Sequence, residues 1–167
     1  MTLVQVILAA VLLQRLAELW IARRNTERLL AEGAIEVAPE HYQYFVVLHA
    51  AWLAALVLMT PEHSAIDPVW LGVFILLQAG RIWVMVSLGR FWTTRILTIP
   101  GAPLVQSGPY RFLRHPNYLI VAGEIAALPL VFGHEAMALV FSGLNALLLW
   151  VRIRAENEAL AERRALD

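Results

Sequence analysis

Four apolar stretches divide this chain, roughly Thr2–Ile21, Tyr42–Met59, Pro68–Leu88 and Tyr118–Val151. Each of the first three is near the ~20 residues at which a helix crosses the hydrocarbon core of a bilayer. The last is too long for one such crossing at about 1.5 Å of rise per residue, and it is interrupted at "LPLVFGHEA". Pro129, Gly133 and His134 mark a hairpin turn there, which predicts five spans. Composition points the same way, with 60% of the 167 residues apolar and 16% charged. A water-soluble domain of this size would have to expose much of that surface, whereas lipid accepts it.

Arginine placement tests the count, because all 13 residues of the Lys+Arg class are arginine. Arg23, Arg24 and Arg28 follow span one, Arg90, Arg95, Arg111 and Arg114 follow span three, and Arg152, Arg154, Arg163 and Arg164 follow span five. The connection "PEHSAIDP" and the turn near Gly133 contain no arginine. Five spans put every arginine-bearing segment on one side, and four would not. The positive-inside rule then sets the N-terminus outside and the C-terminus in the cytoplasm. The N-terminal stretch lacks the basic n-region and cleavage pattern of a signal peptide and is read as a retained first helix. The predicted architecture is an all-α integral membrane protein. It is a five-transmembrane-helix bundle forming a single domain over residues 1–167, with a cytoplasmic loop from Gly89 to Asn117 and a polar C-terminal helix.

Several chemistries drop out. Cysteine is absent, which removes disulfides and thiolate sites, and His41, His49, His63 and His134 show no ligand spacing, so no metal is expected. The arginines are dispersed by topology rather than gathered on one face, which gives nucleic-acid binding no support.

Polar residues inside the spans require partners, water or the interface. Arg15 and Glu18, three apart, predict a local ion pair. Arg81 sits about two turns from the end of span three, within reach of snorkelling. Glu124 has no basic residue at i±3 or i±4. Pairing across the bundle, protonation and a place in the reaction pocket all stay open for it, and it is a candidate catalytic residue on the substrate side. Asn145 is expected to bond between helices. Trp20, Trp70, Trp92 and Trp150 lie near span ends and fit an interfacial belt.

Two polar segments carry the candidate chemistry. In "GPYRFLRHPNY", Pro109 fixes one backbone angle and Pro116 disfavours the helical region for His115, so a short structured turn precedes a break that starts span four. Asn117 is placed to cap that helix, and the free N–H groups of its first turn, with Arg111, Arg114 and His115, suit an anionic group. Tyr110 and Tyr118 add flat surfaces with hydroxyls. The tail "RIRAENEAL" is helix-favouring, with Arg152 and Glu156, and Arg154 and Glu158, each four apart. A solvated helix is the plain reading. Its first turns also emerge on the side of the loop, where Arg152, Glu156 and Asn157 can meet it.

"GPYRFLRHPNY", followed by an apolar hairpin and "RIRAENEAL", resembles the membrane-embedded isoprenylcysteine carboxyl methyltransferase family, in particular its small bacterial members. The resemblance covers about residues 89–160, and "LGRFWTTRILTIPGAPLVQSGPY" resembles the bacterial branch too. It implies methyl transfer from S-adenosylmethionine to an oxygen of a lipophilic acceptor that enters from the bilayer, whether an isoprenylcysteine-like carboxylate or a phenolic or pyrone-type lipid. It implies a place in the bacterial inner membrane, in contact with membrane lipids, with the cofactor site cytoplasmic. The residues matching the cofactor motif are Tyr110, Arg114, His115, Pro116 and Tyr118, joined by Glu156 of the tail motif. That motif usually ends in two adjacent acids, and here the second is Asn157. Arg152 is the candidate for orienting the acceptor. The alternatives are a non-catalytic lipid-binding or scaffold protein, its arginines on phospholipid headgroups, and a small transporter, which the lack of repeated broken helices disfavours.

Overall fold

A computed structural model describes residues 1–161 of the chain; Arg163 and Arg164, counted in the arginine pattern, lie outside the described residues. Helix α1 spans Leu3–Ala31 and opens on a reciprocal cap. Thr2 Oγ1 accepts from the Gln5 amide at 3.3 Å while Gln5 Oε1 accepts from the Thr2 amide at 3.0 Å. At 29 residues it outruns the hydrocarbon core, so Arg23, Arg24 and Arg28 sit on a continuation of the helix rather than in a loop. Helix α2 is Glu40–Met59 and α3 is Pro68–Leu88. Asp67 starts α3, its Oδ1 accepting from the amides of Val69 (2.8 Å) and Trp70 (3.1 Å), with Pro68 in the first turn where no N–H is needed. Helices α4, Pro116–Val131, and α5, Glu135–Ala159, form the hairpin expected around Gly133.

Four of these helices are long and apolar enough to cross a membrane, and α4, with 16 residues, is shorter. It nevertheless runs from one end of the bundle to the other. At one end β1, Ile35–Val37, pairs antiparallel with β2, Ile96–Thr98. This short ladder was not legible in a sequence read as all helix. It brings the connection after α1 against the one after α3, and Arg152 of α5 reaches the Thr94 carbonyl there at 2.8 Å. At the other end the Asp67 amide donates to the Val131 carbonyl at 2.9 Å, and Thr60 Oγ1 meets His134 Nε2 at 3.0 Å. The described arginine-bearing segments therefore share one end, and the arginine-free connections share the other.

Helix α4 is the centre of the bundle. Its Ile125, Leu128 and Val131 are buried among Val11 of α1, Trp52 and Leu56 of α2, Phe74 of α3 and Met137 of α5. A Cβ at Gly123 would stand 2.9 Å from Leu77, so the missing side chain is what lets α4 lie so close to α3. Outward faces carry exposed Leu13, Leu76, Val86, Leu139 and Leu147, a surface suited to lipid. Trp20, Trp70 and Trp150 are exposed as the belt requires. Trp92 is not. It is 4% exposed and packs against Ala22, Val84 and Ile120, because the turn after α3 folds it inward.

Lipid gives helices little hydrophobic reason to associate, so polar contacts matter more here than in water. Arg15 pairs with Glu18 at 2.6 Å, as expected. Arg81 does not snorkel. It is 5% exposed, with Nε on Glu124 Oε1 at 2.7 Å, Nη2 on the other carboxylate oxygen, and Nη1 on Glu18 at 3.3 Å. Arg15 Nη2 lies 3.1 Å from Glu124, and Gln78 donates to the same carboxylate at 2.8 Å. Two arginines and two glutamates thus neutralise each other and tie α1, α3 and α4 together. Asn145 is buried on α5, but its Oδ1 has no hydrogen-bond partner among the described residues, so the bond expected from that oxygen is not made.

Candidate active site

The site forms where α4 begins and α5 leaves the bundle. Pro116 occupies the first turn of α4 and holds His115 out of the helical region, at φ −133° and ψ 57°. His115 is therefore the cap residue, two positions before the expected one, and Asn117 already lies inside the helix. Asn117 gains a different role. Its buried Oδ1 has no hydrogen-bond partner among the described residues, and its side chain lines open space.

The imidazole of His115 stacks on Tyr118, with ring centroids 5.4 Å apart and planes 14° from parallel. Its Nε2 lies 3.1 Å from Asn157 Oδ1 and its Nδ1 lies 3.8 Å from Glu156. Arg152 and Glu156, one turn apart on α5, are bridged rather than paired directly: Arg152 Nε donates to the Tyr118 hydroxyl at 2.9 Å, and that hydroxyl donates to Glu156. A second guanidinium N–H donates to Thr94, and the Phe45 ring covers the group at 5.0 Å. Arg152 is thus held by a carbonyl, a hydroxyl and two rings, and among the described residues no carboxylate pairs with it directly. Arg154 turns away and lies over Trp150 at 3.9 Å instead of pairing with Glu158.

Ahead of α4, a 3-10 turn, Gly108–Arg111, docks on α3. Gly108 has φ +59°, and a Cβ there would stand 2.0 Å from Ser87 Oγ, so both conformation and space require glycine. The turn presents Tyr110, whose phenol is pushed well above its ordinary range, first by burial and then by the negative charge of Glu156. Tyr110 stays protonated at neutral pH. Arg114 makes no ion pair among the described residues.

Two cavities meet at this cluster. The larger, about 390 Å³, is lined by Tyr110, Arg114, His115, Tyr118, Arg152 and Glu156, with Arg95, Ile96 and Leu97 from β2 and its approach. The smaller, about 270 Å³, runs between α1 and α2 past Leu12, Leu16, Val46 and Leu53. Both are lined by Thr93, Asn117, Tyr118 and Arg152. Leu12, Leu16 and Val46 are also exposed on the outer surface, so the smaller cavity reaches the face offered to lipid.

Of the residues singled out in the sequence, Tyr110, Arg114, His115, Tyr118, Arg152 and Glu156 come together on one cavity. Asn157 reaches it through His115, and Pro116 is buried beneath, setting the backbone. Glu124 does not join them. It is not among the residues lining either cavity, and Arg81, Arg15 and Gln78 hold it, which is the pairing across the bundle that the sequence left open. Sequence reasoning missed Phe45, which carries no motif, gave no role to Thr93 and Thr94 within the stretch that resembles the bacterial branch, and saw Asn117 only as a cap.

The family model for the isoprenylcysteine carboxyl methyltransferase (ICMT) family matches residues 70–162, which contain α4, α5 and all of the polar cluster. This chain belongs to the isoprenylcysteine carboxyl methyltransferase family. Across nearly its whole length it is similar to a protein described as the uncharacterized protein YpbQ of Bacillus subtilis (strain 168), 40% identical over 163 residues covering 93% of this chain and 95% of that one. An uncharacterized protein of Haemophilus influenzae is 26% identical over 166 residues, with 96% of each chain covered. No solved structure matches significantly. In this member of the isoprenylcysteine carboxyl methyltransferase family, the residues carrying the resemblance are those that line the larger cavity and its floor.

Proposed function

We propose that this protein is an S-adenosylmethionine-dependent O-methyltransferase acting on a lipophilic acceptor. The observation that carries the reading is the wall shared by two unlike cavities, one polar at the helix ends and one apolar toward lipid, with Arg152 and Tyr118 between them.

The residues present fit S-adenosylmethionine. Glu156 suits its ammonium, and Arg114, free of any ion pair among the described residues, suits its carboxylate. The unpartnered Asn117 Oδ1 offers an acceptor to a polar group in the same cavity, and Leu104, Val105 and Leu113 provide an apolar wall for the adenine. His115 and Asn157, bonded to one another, hold the rim. When bound, the cofactor supplies a methyl group activated on a positively charged sulfur.

The protein's own contribution is orientation and exclusion of water. Arg152 presents a guanidinium into both cavities and stabilises negative charge on an acceptor oxygen. Phe45 and Tyr118 fix its plane. Tyr118 is fully used between Arg152 and Glu156, so it positions and does not remove a proton. A carboxylate acceptor, with a reference pKa near ~4, is already ionised and needs no base. The acceptor enters sideways between α1 and α2, and the arginine-rich end, with both cavities' shared wall, faces the cytoplasm of a bacterial inner membrane.

The deciding experiment is S-adenosylmethionine binding to the protein purified in nanodiscs, with His115→Ala and Glu156→Ala alongside. Saturable binding in the wild type that weakens at least tenfold in both variants supports the reading. Phospholipid affinity without saturable cofactor binding would instead identify a lipid-binding scaffold.

A further inference from the structure

The smaller cavity is more polar than a hydrocarbon chain requires. Besides Leu12, Leu16 and Val46, its wall includes Arg15, Glu18 and Arg81, which are paired among themselves and with Glu124, and His49. His49 Nδ1 lies 2.8 Å from the Phe45 carbonyl. A carbonyl only accepts, so Nδ1 carries the hydrogen, and in the neutral imidazole expected near pH 7 the remaining nitrogen, Nε2, is an acceptor. Among the described residues Nε2 has no hydrogen-bond partner. An acceptor left open on the wall of an otherwise apolar cavity is a place where a ligand's donor gains a hydrogen bond that an apolar wall cannot give.

Position gives this acceptor meaning. His49 follows Phe45 by four residues on α2, and the Phe45 ring lies over Arg152 at the wall where the cavities meet. His49 is thus about one helical turn along α2 from the residue that covers Arg152. Resting on the methyltransferase reading for the identity of the Arg152 end, we propose that His49 is a specificity-determining residue. It selects a lipophilic acceptor that carries a hydroxyl about one helical turn from the oxygen placed at Arg152. The hydroxyl donates to Nε2, which an ether or ester oxygen cannot do. A plain hydrocarbon tail leaves Nε2 unmet.

The test uses the full chain in nanodiscs and needs no methyl transfer. Trp52 and Trp92 line the cavity, so tryptophan fluorescence reports its filling. Dodecan-1-ol and dodecane-1,4-diol, titrated at matched mole fraction in the bilayer, serve as probes. The wild type is expected to bind the diol about tenfold more tightly, roughly the discrimination of one buried hydrogen bond to an uncharged group. His49→Leu should lose that preference while still binding dodecan-1-ol, and His49→Gln, which keeps an acceptor, should recover part of it. Equal affinities in the wild type, or an undiminished preference in His49→Leu, overturn the proposal. S-adenosylmethionine binding, measured in parallel, reports whether each variant is folded. Its absence from wild type that still prefers the diol would count against the methyltransferase reading and not against the role of His49.

Discussion

Two polar clusters lie within one helical bundle, and they are built to opposite ends. Arg15, Glu18, Arg81 and Glu124 sit among α1, α3 and α4, where charge meets opposite charge and the two glutamines fill remaining sites. His115, Tyr118, Arg152, Glu156 and Asn157 sit where α4 and α5 end, and there the arginine and the glutamate are kept apart by a tyrosine hydroxyl. The first cluster spends its charges on one another and holds helices. The second withholds them from one another and leaves both facing a cavity. Closure marks a structural device in a low-dielectric interior, and incomplete neutralisation marks a place prepared for a ligand.

The sharpest way to break this contrast is Glu124→Ala. It strands Arg81 and Arg15 without their shared carboxylate, and breaking a buried pair typically costs about 3–5 kcal/mol. Unfolding measured in detergent should shift accordingly, with most protein lost on purification. In the folded remainder, S-adenosylmethionine affinity should stay near that of the wild type. Replacing Arg81 and Glu124 together by leucine should recover part of the stability, since an apolar pair carries no stranded charge.

Glu156→Gln probes the open cluster. Size is kept and the bond from Tyr118 can persist, so thermal stability should change little. Loss of a charge-assisted contact worth about 1.5–3 kcal/mol predicts a ten- to hundredfold weaker cofactor affinity by calorimetry. If stability falls and affinity does not, Glu156 belongs with the closed cluster and the contrast is wrong.

Gly108→Ala acts on the scaffold of the open cluster. The added Cβ meets Ser87 and forces an unfavourable backbone at φ +59°, which should cost about 1–3 kcal/mol. Since the turn carries Tyr110, cofactor affinity should fall with it, whereas Gly72→Ala, with open space around its Cβ, should leave affinity unchanged. The smallest effect is expected from Arg23→Ala, which removes an exposed pair with Glu27. Its change in unfolding free energy should stay within about 0.5 kcal/mol.

Much of this can be read from the amino-acid order. Pro116 after His115 announces a break, and the break is where α4 begins. The spacing of Arg152, Glu156 and Asn157 announces a helix face, and that face meets the break. What stays hidden depends on partners far along the chain. Glu124 shows no cation within one turn, and its two arginines come from α1 and α3. Arg81 stands within reach of water, but a carboxylate on α4 turns it inward. Trp92 has the position of an interfacial residue near a span end, yet the turn at Gly89 folds it under α1, where Asn25 donates to its carbonyl at 2.8 Å. His49 lacks any ligand spacing and still faces the cavity.

By itself the sequence determined that the chain is built of apolar helices and roughly where they lie, the end of the bundle to which most arginines go, and the residues at the start of α4 and the end of α5. These follow from hydropathy, proline and helical period, which act within a few turns of one chain. The tertiary structure alone decided which charges cancel and which stay open. That depends on distances of a few ångströms between helices, and electrostatic and hydrogen-bonding energies in a dry interior change steeply over such distances. Residues of the same types therefore became a clasp in one place and a site in the other.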